Sequence, residues 1–144
     1  LGDWQVDFNE EEMREWLGLV EKAYDRALEY MAADVWGNIK RETPTDHGKL
    51  AGSFALEKIS RLKWRIYTMV YYAMYVHEGT GIYGPVGHPI VPRRARFLVF
   101  EWHGQTWFLR SVRGQKPNPF ADRAMDTTAG RVQEFTERAV AETA

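Results

Sequence analysis

An α+β fold, a four-stranded antiparallel sheet covered by long N-terminal and C-terminal helices, is what the 144 residues predict. Three observations carry that expectation. Apolar residues recur at helical spacing at both ends of the chain, two pairs of strand-like segments lie between them, and a Gly/Pro-rich excursion separates the pairs. With 44% apolar residues, a chain of this length is expected to form one domain over residues 1–144.

Asn9, followed three residues later by Glu12, has the spacing of a capping box, and Glu10 and Glu11 favour the positive end of a helix. Met13, Trp16, Leu17, Val20, Tyr24, Ala27, Leu28, Met31, Val35 and Ile39 then recur every three or four residues. That stripe predicts one long amphipathic helix, with a sheet as the surface it covers. Thr43 precedes Pro44, so the helix should end near Arg41 or Glu42. A short helical turn follows, with Thr45 or Asp46 as its cap and with Leu50 and Phe54 pointing inward.

Strands are expected over 53–59 and 64–70, joined through Ser60-Arg61-Leu62-Lys63. The second alternates, with Trp64, Ile66, Thr68 and Val70 on one side and Arg65, Tyr67 and Met69 on the other, as a half-covered strand does. Residues 71–78 read as a short central helix stopped by Gly79, and the stretch 71–81 as a buried connector between two halves of one sheet. From Gly79 to Arg94, four glycines and three prolines exclude a regular element, and a loop this long in a small domain points to a use. Residues 97–102 and 105–112, around His103-Gly104, read as a hairpin. Phe120, Ala124, Met125, Thr128, Val132, Phe135, Ala139 and Val140 predict a C-terminal helix running through Gly130.

The formal charge of −1 makes no global case for nucleic acid, and the absence of cysteine excludes disulfides and thiolate chemistry. No apolar run reaches the roughly 18 residues that a membrane helix needs. Charge is unevenly distributed, however. The first helix is acidic, whereas from Arg93 to Lys116 six basic residues face a single Glu101. Such asymmetry suits either steering onto a partner surface or an ordinary solvated face.

Chemical motifs are sparse. His77-Glu78-Gly79-Thr80-Gly81 has glycine where a zinc-protease helix needs its second histidine, so no metal is expected. The run Gly79, Gly81, Gly84, Gly87 lacks the Gly-Lys-Ser/Thr ending of a phosphate cradle and reads instead as backbone freedom for a loop that meets a neighbouring subunit. Paired carboxylates such as Asp3 with Asp7 lie near a terminus, and Ser53, Ser60 and Ser111 stand in no nucleophile-elbow setting. No catalytic residue and no cofactor is therefore expected. Arg93, Arg94 and Arg96 beside Trp102, Trp107 and Phe108 leave open an alternative, a stacking surface for single-stranded nucleic acid, and an unidentified hydrolase is the remaining rival.

Three segments together resemble the tail-completion or neck proteins of long-tailed bacteriophages, in particular a tail-component family of lambdoid phages. They are Thr43-Pro44-Thr45-Asp46-His47-Gly48-Lys49-Leu50-Ala51-Gly52-Ser53, Tyr72-Ala73-Met74-Tyr75-Val76-His77-Glu78-Gly79-Thr80, and Lys116-Pro117-Asn118-Pro119-Phe120-Ala121-Asp122-Arg123-Ala124. The chain departs from that pattern at His47, His77 and Ala124, and its aromatic hairpin is longer. The resemblance implies a noncatalytic structural subunit at the head-tail junction of a virion, assembled in the bacterial host cytoplasm as a ring of identical subunits. Its implied partners are a connector or head-completion protein and a tail tube or tail terminator protein, with no membrane and no specific nucleic acid, although DNA passes through such a ring. On this reading Gly79, Thr80, Gly81, Tyr83, His88, Arg93, Arg94 and Arg96 form the assembly loop. Pro44, Leu50, Tyr72, Tyr75, Glu78, Pro119 and Phe120 support it.

Overall fold

A computed structural model describes residues 4–44 and 48–143. In chain order these form α1 (Glu10–Glu42), α2 (Gly48–Ala51), β1 (Ala55–Ser60), β2 (Lys63–Tyr67), α3 (Ala73–Glu78), a 3₁₀ turn (Gly81–Tyr83), β3 (Leu98–Trp102), β4 (Gln105–Leu109), α4 (Phe120–Ala129) and α5 (Val132–Thr143). The class is α+β, as the patterning predicts. The expected caps Thr45 and Asp46, together with His47 of the first resembling segment, lie outside the described residues.

Helix α1 starts and stops where its sequence dictates. The Asn9 side chain accepts the Glu12 N–H at 3.0 Å, and the Glu12 carboxylate accepts the Asn9 N–H at 3.0 Å, closing the capping box. At the other end Thr43 takes the extended conformation that Pro44 imposes, so the helix ends at Glu42.

The four strands do not form one sheet. β1 pairs antiparallel with β2, β3 pairs antiparallel with β4, and no ladder joins the two hairpins. The physical reason lies in what covers each one. Trp64 and Ile66 project from the half-buried face of β2, whose cover comes from the helices and not from further strands. β3–β4 lies beyond the excursion, and its turn is self-sufficient. His103 and Gly104 both have positive φ (50° and 72°), the two-residue geometry that matches strand twist. The stretch 71–81 thus links two separate hairpins and not two halves of one sheet; Val76, Gly79 and Gly81 within it are buried, whereas Tyr71 is 83% exposed.

The C-terminal helix is also divided. It breaks after Ala129, where the Arg131 N–H turns to the Thr128 carbonyl at 2.8 Å. Across the break α4 and α5 both run antiparallel to α1. Arg123 pairs with Glu42, Thr128 meets Asn38 and Asp34, Arg131 pairs with Asp34, Phe135 stacks on Tyr30, and Glu142 reaches Arg26. Helices, more than a sheet, are therefore what α1 packs against.

Val35, Ile39, Leu50, Val76, Phe120 and Ala124 form the central core, joined by partly buried Phe54, Ile66, Val70 and Tyr72. Leu50 is fully buried and Phe54 packs edge-on against Phe120, as their inward assignment required. Burying each large side chain of this kind contributes about 1.5–3 kcal/mol. A polar seam lies beside the core: Thr128 donates to Asp34 at 2.8 Å, Asn38 donates to Thr128 at 3.0 Å, and Arg41 donates to Asn38. This seam satisfies buried groups that would otherwise each be costly.

The expected inward stripe of α1 fails over its first turns. Met13, Trp16, Leu17, Val20 and Tyr24 are all exposed, and buried positions begin only at Ala27. The cover gives out there: α5 reaches Arg26 through Glu142, and the tip of the first hairpin reaches Glu21 through Arg61. The turns from Glu10 to Val20 project about 16 Å past that support. Phe8 folds back to within 5.8 Å of the Trp16 ring and covers little of it, as Trp16 stays 53% exposed.

Candidate functional site

The site expected from the sequence begins at the end of α3. Val76 is buried there, so its neighbours Met74 and Tyr75 turn outward, and Gly79 closes the helix with φ +83° and its N–H on the Tyr75 carbonyl. Beyond Gly79 the chain does not swing free. The Thr80 N–H donates to the Gln115 carbonyl at 2.9 Å, the Ile82 N–H to the Arg113 carbonyl at 2.8 Å, and the Gln115 N–H to the Thr80 hydroxyl at 2.8 Å. Ile90 and Val112 exchange both backbone hydrogen bonds, and Asn118 donates to the Val76 carbonyl. These bonds form a clasp between the excursion and the segment that follows the β3–β4 hairpin.

The clasp assigns the glycines a use other than freedom to reorder. A Cβ on Gly81 would stand 2.1 Å from the Arg113 carbonyl oxygen, and one on Gly114 would stand 2.1 Å from that of Thr80. Two backbones approach here at a distance that only glycine permits, and Gly79 and Gly81 are buried. A regular turn also appears inside the excursion, at Gly81–Tyr83, where glycine and proline content had argued against one.

Of the expected loop residues, Gly79, Thr80, Gly81 and Arg93 line one cleft of about 520 Å³, with Tyr75 and Glu78 on its wall. Tyr83 lies outside it, its ring 5.9 Å from the Lys116 ammonium. His88 is exposed and its Nδ1 stands 3.0 Å from the Pro89 carbonyl oxygen. Arg94 and Arg96 are also exposed and outside the cleft. Among the supports, Leu50 and Phe120 are core, Tyr72 packs against it, and Pro44 and Pro119 are half-buried at helix ends. Tyr75 is 49% exposed and Glu78 is exposed, so both belong to the cleft and not to the interior.

A second cleft, of about 1020 Å³, lies under the distal hairpin, where Phe100, Trp102, Trp107 and Leu109 face Thr80, Val112 and Gln115 of the clasp. The strand pleat explains the grouping. Phe100 sits opposite Trp107 on one face, while Val99 and Phe108 sit opposite each other on the reverse face, both at least 60% exposed. The Trp107 Nε1–H is enclosed without an acceptor among the described residues. Arg93, Arg94, Arg96, Arg110 and Arg113 flank this hairpin, and among the described residues none of their side chains forms an ion pair.

Sequence reasoning missed Gly114 and Gln115, the far side of the clasp. A lone glycine between Arg113 and Gln115 was the available signal, and nothing local says which distant backbone it approaches. Among the described residues no group of three or more His, Asp or Glu side chains could hold a metal ion. His77 Nε2 stands 3.7 Å from Asp122, beyond hydrogen-bonding reach, and its ring packs edge-on against Phe120. The three resembling segments do converge, since Leu50, Val76 and Phe120 share one core and the clasp runs between the second and third. Comparison of the chain with protein families, with curated proteins and with solved structures found no match to any of them.

Proposed function

We propose that the protein is a noncatalytic structural subunit that assembles with identical copies into a ring at a phage head-tail junction, joining the tail to the capsid connector. The observation that carries the assembly part is the apolar surface left uncovered on two separate projections. Trp16, Leu17, Val20 and Tyr24 stand out on the start of α1, and on the distal hairpin Trp102 stands out on the cleft face and Val99 and Phe108 on the reverse face. Surfaces of this kind mark protein contacts, and two dissimilar ones at different places on a subunit suit head-to-tail closure. The placement at a head-tail junction rests on the resemblance of residues 43–53, 72–80 and 116–124 to phage tail-completion proteins.

Absolute mass by light scattering behind size exclusion, over a wide concentration range and with electron microscopy of large species, tests the reading. A closed ring is expected. A strict monomer at every concentration would sink self-assembly. A second reading is favoured by arginines that form no ion pair among the described residues and stand beside exposed aromatics, an arrangement that suits single-stranded nucleic acid. It requires oligonucleotide binding that weakens steeply with salt.

A further inference from the structure

We propose that the projecting start of α1 docks into the cleft under the β3–β4 hairpin of a second copy of this chain, so that one pair of unlike surfaces makes each contact. This rests on the self-assembly reading above and names the two surfaces that meet.

Shape and charge both point to that partner. Over residues 4–20 there are five carboxylates (Asp7, Glu10, Glu11, Glu12, Glu15) and one guanidinium, Arg14, which already pairs with Glu10. Over residues 93–116 there are six basic residues and one carboxylate. The formal charges are thus −4 and +5, on two largely exposed parts of the chain. Each carries apolar surface inside its charged rim. Met13, Trp16, Leu17, Val20 and Tyr24 recur at helical spacing and form one stripe along α1. The cleft presents Phe100, Trp102, Trp107 and Leu109, with arginines on both flanking strand ends. An amphipathic helix laid in an apolar groove is an established mode of recognition, and opposite charge at the rim sets its orientation.

Like surfaces would repel each other. Two acidic helix starts or two cationic hairpins cannot meet favourably, so each contact joins the helix start of one copy to the cleft of another, either reciprocally within a pair or repeated from copy to copy around a ring.

Charge reversal tests this directly. One variant carries Asp7→Lys, Glu11→Lys and Glu15→Lys, and another carries Arg94→Glu, Arg96→Glu and Arg110→Glu. All six side chains are exposed, and circular dichroism checks that each variant folds. Each variant alone should self-associate at least about tenfold more weakly than wild type, and added salt should weaken wild-type association. Mixing a carrier of both reversals with itself should restore assembly. Because the chain has no cysteine, Leu19→Cys on one copy and Gln115→Cys on another provide a second readout with a bismaleimide. Cross-links between the two should outnumber those within either kind. Wild type that assembles while both reversed variants assemble equally well would overturn the docking and leave the ring standing. A wild type that never assembles would overturn both. Binding of a single-stranded oligonucleotide, abolished by the hairpin reversal while self-association survives, would assign this face to nucleic acid and overturn the proposal.

Discussion

Gly81 and Gly114 stand face to face in the clasp, and neither has room for a methyl group. A Cβ at either would fall 2.1 Å from a carbonyl oxygen that belongs to a hydrogen-bonded backbone and cannot yield cheaply. Both also have positive φ, 60° and 102°. Gly87 shares the positive φ, at 72°, but has open space around it. Comparison of the three separates strain from collision. Gly87→Ala should cost about 1 kcal/mol, the conformational term alone, whereas Gly81→Ala or Gly114→Ala should cost roughly 3 kcal/mol or more. Urea unfolding checks the order. Equal losses at all three positions would mean that the clasp adds nothing to stability.

Among the elements, the pairing of α5 with α1 carries a pH signature. The Glu142 carboxylate is held below the ordinary range, first by the Tyr30 hydroxyl that donates to it and then by the Arg26 and Arg138 guanidiniums. A carboxylate whose folded pKa is depressed contributes stability that is fully present above its unfolded value and is lost as pH falls through the folded one. The stability gap between wild type and Glu142→Gln should therefore be widest near neutrality and close progressively below about pH 4.5. Thermal melts of both proteins across that range give the answer. A gap that is independent of pH would remove the ion-pair contribution from the account.

Element by element, the sequence was most informative where the cause was local. Asn9 and Glu12 mark a helix start because both partners lie within four residues, and His103-Gly104 marks a turn because the required backbone angles belong to those two residues. Alternation along 64–70 correctly showed that one face of β2, which ends earlier at Tyr67, was covered. It could not show by what, and the covering layer proved to be helices, so two hairpins were joined in error into one sheet. The same gap misplaced Trp16 and Tyr24. Periodicity records that a stripe is apolar, and only tertiary structure decides whether the chain itself covers it. Of the candidate site, Gly79, Thr80 and Gly81 at the start of the excursion were legible as a group. Gly114 and Gln115 were not, because their meaning depends on a backbone some 35 positions away.

At the scale of the whole molecule, cover is distributed unevenly. α1 from Ala27 onward is flanked by α4, α5 and the first hairpin, while its first three turns have no tertiary cover among the described residues. Local stability should follow that division. Amide hydrogens over 13–20 in the unassembled subunit should exchange at least roughly tenfold faster than those over 31–39, and assembly should slow the first set selectively. Hydrogen exchange followed by mass spectrometry resolves the two segments. Uniform protection along α1 in the free subunit would contradict the division.

The clasp bears on how this molecule can change over time. Thr80 with Gln115 and Ile90 with Val112 bring the two ends of a long detour side by side, so the rest of the fold receives the chain back close to where it left. Such a junction is indifferent to what it carries, because the cost of closing a loop grows only slowly with its length. The hairpin beyond it can be lengthened, shortened or exchanged while α1, α4 and their core stay as they are. A lineage could thus retain one body and fit it to new neighbours by recasting a single appendage.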